Sequence, residues 1–328
     1  MRERKRIIRM AGAACAAFLI LAWGAAAARA HDDYQEKFEK TLDLAVDGKV
    51  YLSNISGDIK VFSWDKAQVK IDALKTSEAS SKAKAEENAK EVMIEVVGDG
   101  RTVRIEIKYP KRSWWGHDSG NVSVDFTLYV PAKAAVDVHS VSGEVEVEAI
   151  GGPVRAKSVS GDVTLTKAAA GAECASVSGD VKASDIKGGI DAGSVSGDVT
   201  VRRVEGSIEA SSVSGNVDLR DVSGAETVKA KTVSGDVTFE SLTAPKGRYV
   251  LESHSGDVTI NLPADSSFEL EVETFSGDID TDFDIKVSGK MSPREIRGTV
   301  NKGGALVTAK SFSGSVSIKS GSLTLKKD

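Results

Sequence analysis

The chain has 328 residues, with 31 Gly, 6 Pro, 2 Cys and only 5% aromatic residues against 41% apolar. This balance excludes a disordered chain, a collagen and a disulfide-stapled scaffold, and it points to a narrow core of Val, Ala, Ile and Leu. A formal net charge of −5 argues against a nucleic-acid partner held by phosphate contacts.

Arg2, Arg4, Lys5, Arg6 and Arg9 precede an apolar run from Ala11 to Ala27, and Ala28-Arg29-Ala30 follows as a small-x-small site. Residues 1–30 therefore read as a signal peptide, with His31 as the first mature residue and membrane contact confined to export. A retained N-terminal anchor is the competing reading. Removal of this segment leaves Cys174 as the one cysteine, so no internal disulfide is expected.

Residues 31–137 read as a β-rich capping section. Tyr51 to Phe62 alternates like a strand pair, and Glu78 to Glu91 is an Ala/Lys/Glu-rich stretch that predicts one exposed helix. Met93 to Val97 and Thr102 to Ile107 predict a hairpin around Gly98-Asp99-Gly100. Asn121 to Val130 alternates as another strand.

Residues 138–328 carry a repeat. Ser-Gly followed by Asp or a relative occurs at Ser56 and again at Ser142, Ser160, Ser178, Ser196, Ser214, Ser234, Ser255, Ser276 and Ser313. From Ser142 the spacings are 18, 18, 18, 18, 20, 21, 21 and 37. The last is close to two repeats, and Gly298-Thr299-Val300 reads as a degenerate repeat within it. A fixed period of this length signals a solenoid, whose units bury their faces only by stacking.

With the motif Ser as position zero, positions −6 and −4 are apolar, and so are +3 and +5. Val136 and Val138 precede Ser142, for example, and Val145 and Val147 follow it. A period-2 pattern cannot change phase within one flat strand, so the Ser-Gly segment must be a corner. A further column at +8, from Ile150 to Leu242, is out of phase again and implies a second corner. The fold class is thus all-β, a single-stranded β-helix of 18–21-residue rungs stacked about 4.8 Å apart. An antiparallel sandwich is the competing architecture, but it does not require a constant period with identical columns.

The signal peptide, Asn54-Ile55-Ser56-Gly57-Asp58-Ile59 with Trp64-Asp65 after it, the tandem Ser-Val-Ser-Gly-Asp-Val units and Gly303-Gly304 before Ser313-Gly314 together resemble the DUF4097 family of adhesin-like proteins. The resemblance spans nearly the whole mature chain. It implies a bacterial envelope β-helix protein with no catalytic residues to carry over. Some relatives have links to envelope stress.

The Asp column (Asp58, Asp162, Asp180, Asp198, Asp236, Asp257, Asp278) has two readings: a Ca²⁺ ladder, or turns in which each carboxylate accepts a neighbouring N–H. The turn reading is preferred, because Glu144, Asn216 and Ser315 occupy the position elsewhere and the Gly-Gly-x-Gly-x-Asp calcium repeat is absent. Hydroxyls recur at −2, but no local signature joins them to His31, His117, His139 or His254, so a structural ladder is expected rather than a nucleophile. Cys174 sits in an apolar column and reads as a small buried hydrophobe. No catalytic residue, metal or cofactor is expected.

One segment departs from the pattern, Lys111-Arg112-Ser113-Trp114-Trp115-Gly116-His117. Trp114 and Trp115, flanked by Arg112 and His117, can stack on sugars or anchor a partner surface, or they can cover the end of the solenoid. The expected function is an exported, non-catalytic, adhesin-like rod that binds an envelope protein or glycan. An envelope-stress regulator acting through protein contacts is the alternative. A polysaccharide-active enzyme is less favoured, because the acids are spread evenly along columns rather than clustered.

Overall fold

The computed structural model describes residues 32–110, 121–288 and 292–321. The segment read as a signal peptide, residues 1–30, lies outside them. Two long sheets, of 13 and 14 strands, face one another across a single apolar core. Among the described residues no helix is long and apolar enough to cross a membrane.

Each motif rung contributes one strand to each sheet. In the Ser160 rung, Val154–Ser158 lies in one sheet and Val163–Ala168 in the other. Rungs pair in parallel and in the register of the repeat, so Val163 lies between Val145 and Val181. In the other sheet Ala156 lies between Val138 and Cys174. Positions −6, −4, +3 and +5 point inward along nearly every rung, as the alternation requires, and fill a slot that suits Val and Ala better than rings. The large buried rings Phe126, Phe239, Tyr249 and Phe268 sit toward the two ends of the stack.

The first corner is tight. A methyl on Gly161 would overlap the carbonyl oxygen of Gly143, and one on Gly179 would overlap that of Gly161. Successive glycines therefore stack backbone on backbone. The second corner is a bulge. Ala149, Lys167, Asp185, Arg203 and Asp221 have φ of 61, 61, 61, 52 and 56°. Pairing skips this position: Thr166 pairs with Ser184, then Ala168 with Ile186. The left-handed residue turns the chain so that +8 faces inward, which accounts for the second phase change.

Three expectations are corrected. Leu242, placed in the +8 column, is 46% exposed. Its inward place is taken by Ser241, whose hydroxyl donates to the Val222 carbonyl (2.7 Å) and accepts from the Val222 N–H (2.8 Å). The helix is shorter than expected, Lys82–Glu91 capped by Ser81, because Gln68–Ala79 continues as a strand through Glu78. Gly298-Thr299-Val300 is no repeat. It belongs to Glu295–Val300, which runs antiparallel to Phe268–Thr274.

The chain order also differs from the spatial order at both ends. Ala305–Ser311 lies between Arg248–Ser255 and Phe268–Thr274, so the Ser313 rung is inserted between the Ser255 and Ser276 rungs. At the other end the Ser56 rung stacks directly on the Ser142 rung. Outside it lies a further rung without the motif, Thr102–Lys108 and Asn121–Pro131. Gln68–Ala79 and Asp32–Asp43 then close one sheet as antiparallel strands, and Met93–Gly98 closes the other.

Candidate functional site

The repeated hydroxyls and carboxylates at the first corner are the natural place to look for chemistry, and nearly all are committed to the backbone. Ser176 donates to the Gly161 carbonyl of the preceding rung (2.8 Å) and accepts from the Gly179 N–H of its own (3.0 Å). Ser158, Ser194, Ser212, Thr232, Ser253, Thr274 and Ser311 donate to a glycine carbonyl in the same way. A hydroxyl whose proton is held by a buried carbonyl is a clamp between rungs rather than a nucleophile. Ser140 is the exception, buried without a partner. The carbonyl it would use, that of Gly57, takes Asn54 Nδ2 at 3.0 Å.

The acidic column is a second clamp. The Asp180 N–H donates to Asp162 Oδ1 at 2.8 Å, Asp198 to Asp180 at 3.0 Å, and Asn216 to Asp198 at 2.7 Å. Asn216 continues the chain by accepting from the Asp236 N–H at 2.9 Å. The bond thus joins successive rungs, whereas the turn reading placed it within one rung. Glu144 N–H completes the pattern by donating to Asp58 Oδ1 at 2.9 Å. An oxygen serves here as well as a charge, which explains why Asn216 and Ser315 are tolerated.

Cys174 is buried, as its column implies, and burial pushes its thiol up to about 12. His139 meets Asp137 rather than a serine. Its Nε2 lies 2.9 Å from Asp137 Oδ1, and Lys49 Nζ lies 2.9 Å from Oδ2. Burial pushes the Asp137 carboxyl up, but hydrogen bonds from Lys49 and His139 override this and hold it below the usual carboxylate range. Tyr51 packs beside the His139 ring, with centres 5.8 Å apart, and Arg104 lies over Tyr51, 4.3 Å from the ring centre.

Arg112, Trp114, Trp115 and His117 lie outside the described residues. The strands on either side of that segment, Thr102–Lys108 and Asn121–Pro131, are described.

A surface feature not anticipated from the sequence runs along the same corner. Position −1 is exposed although apolar: Ile55, Val141, Val159, Val177, Val195, Val213 and Val233. Toward the C-terminal end the column becomes aromatic. His254 stacks on Phe312 with ring centres 4.8 Å apart and planes 10° apart, and Phe312 stacks on Phe275 at 4.8 Å and 1°. Beside these rings a groove is lined by Lys231, Glu252, Lys310 and Glu273 in spatial order. The signal was present in the sequence as an apolar column out of phase with the strand before the corner. The continuity of its aromatic part was not, because Phe312 enters between His254 and Phe275 only through the inserted rung.

The family model described as Toastrack DUF4097 matches residues 58–319. No curated protein matches the sequence. Among solved structures, a candidate cell adhesion protein from Clostridium sporogenes is 10% identical, with a TM-score of 0.24 over 88% of this chain and 100% of its own. Candidate adhesins from Bacteroides fragilis and Parabacteroides distasonis are each 12% identical, over 87% of this chain and 97% of theirs, with TM-scores of 0.35 and 0.41.

Proposed function

This chain belongs to the DUF4097 (Toastrack) family, and from that premise we propose that it is an exported, non-catalytic rod that binds an extended partner of the cell envelope or its surroundings. One observation carries the reading. The hydroxyl and carboxylate columns are consumed in clamping rung to rung, so the repeat builds a stiff scaffold and leaves function to what the scaffold displays. A rigid ladder of equivalent positions suits a polymeric partner, because weak contacts repeated in register add without further ordering cost.

The N-terminal sequence supports export, and Trp114 and Trp115, close in sequence to Arg112 and His117, offer aromatic and basic groups for contact. The partner is an envelope protein or a glycan. The test uses the mature chain from His31 in cosedimentation with isolated envelopes before and after protease treatment. Binding that survives protease identifies a glycan, and binding that is lost identifies a protein. The double variant Trp114→Ala, Trp115→Ala is expected to weaken association while leaving thermal unfolding unchanged. Association with neither preparation overturns the reading, and a double variant that binds like the parent removes the tryptophan segment from it.

A further inference from the structure

The aromatic part of the exposed column ends in a free ring face. Ile279–Thr281 is the last strand of its sheet, so among the described residues no further Ser-Gly corner follows the Ser276 rung. Phe275 is accordingly 61% exposed, while Phe312, nearly parallel beneath it, fixes its plane. Among the described residues the exposed phenylalanines are these two. An exposed phenyl is an unfavourable surface residue, and two stacked in one ladder form a rigid apolar platform.

The groove beside the platform alternates in charge. Lys231 and Glu252 are paired at 2.8 Å, and Lys310 and Glu273 at 3.1 Å. Donors and acceptors therefore alternate at the rung spacing of about 4.8 Å, with no net charge across the four side chains. An anionic polymer would meet Glu252 and Glu273, and a cationic peptide would meet Lys231 and Lys310. A chain of neutral hydroxyl groups, each both donor and acceptor, matches the row without an unpaired charge.

We propose that the open face of Phe275, with the groove beside it, binds a pyranose unit of a neutral polysaccharide. The electropositive C–H face of the sugar stacks on the electron-rich ring face, and its hydroxyls engage Glu273 and Lys310. Phe312 acts by holding the platform rigid. This proposal rests on the reading of the protein as a binding module, but it is independent of the tryptophan segment.

The experiment is saturation-transfer NMR on the mature chain with three probes: cellotetraose, the β-1,4-linked N-acetylglucosamine tetramer, and tetragalacturonate as the anionic control. At least one neutral tetraose is expected to receive saturation from the aromatic protons, and the anionic one is not. Phe275→Ala and Phe275→Leu are each expected to weaken binding by about tenfold or more, and Phe275→Trp to retain it. Unchanged melting temperatures confirm that these surface variants fold. Absence of binding by both neutral probes overturns the proposal. Retention of binding by Phe275→Leu also overturns it, since apolar docking then suffices. Loss of binding only in the Trp114→Ala, Trp115→Ala variant moves the sugar to that segment, overturning this proposal and leaving the binding-module reading intact.

Discussion

At the scale of single residues the fold is held by two backbone requirements of opposite kind. At the first corner a Cβ is excluded. Gly179→Ala would push a methyl into the Gly161 carbonyl and disturb the bond that carbonyl accepts from Ser176. We expect a loss of about 2–3 kcal/mol, read from urea unfolding, and a loss below half of that would contradict the stacking argument. At the second corner the chain uses left-handed residues that are not glycine. Lys167 has φ of 61° and is largely exposed, its nearest carboxylate, Glu148, being 3.8 Å away. Lys167→Gly relieves a Cβ clash at the cost of a looser unfolded chain, and a net gain of about 0.5–1 kcal/mol is expected. Asp185 and Arg203, at the same position in successive rungs, form a two-point pair at 2.7 and 2.8 Å, so the corner also serves as a place for ion pairs.

At the scale of strands, charge keeps the sheets from growing. Asp32–Asp43 ends one sheet with Glu36, Lys37, Glu39 and Lys40 along its length. At the other end of that sheet Asp278, Asp280, Asp282 and Asp284 alternate through the last strand and the residues around it. Charges on an open edge deter pairing with a second chain, since two copies would set carboxylates against carboxylates. Asp280→Val with Asp284→Val removes that repulsion without touching Asp282, which accepts from the Ser320 N–H. The variant is expected to sediment as a larger species than the parent, increasingly with concentration, and identical sedimentation would exclude charge as the guard. These edges also mark the limit of what was legible from the sequence. The motif rungs were readable because each repeats the same columns, as was the Met93–Gly98 hairpin with its Gly-Asp-Gly turn. The strand Asp32–Asp43 was not, because its apolar residues Tyr34, Phe38 and Leu42 fall four apart and its partner strand lies outside the repeat. Position −1 was visible as a column, but its exposure depends on a corner whose direction only the fold supplies.

At the scale of the whole molecule the insertion of the last rung sets this solenoid apart from a simple stack. In a simple stack, deleting the terminal repeat removes one interface, since each unit touches only its neighbours. Here Ala305–Ser311 and Val316–Gly321 join the Ser276 rung to everything before it, so removing residues 303–328 breaks two interfaces and leaves that rung without its parallel partner. The Ser276 rung could then dock on the Ser255 rung, with Leu270 beside Tyr249 and Val272 beside Leu251. That docking would set Glu273 opposite Glu252, which Lys310 now separates, and like charges facing each other across strands are unfavourable by roughly 0.2–1 kcal/mol. It would also forgo the stacking of Phe312 between His254 and Phe275. Hydrogen exchange on a chain ending at residue 302 is therefore expected to show loss of protection across residues 268–300, with the rungs from Ser142 to Ser234 protected as in the full chain. Protection retained at 268–300 would mean that the two rungs dock directly and that the inserted rung is a preference of the complete chain rather than a requirement.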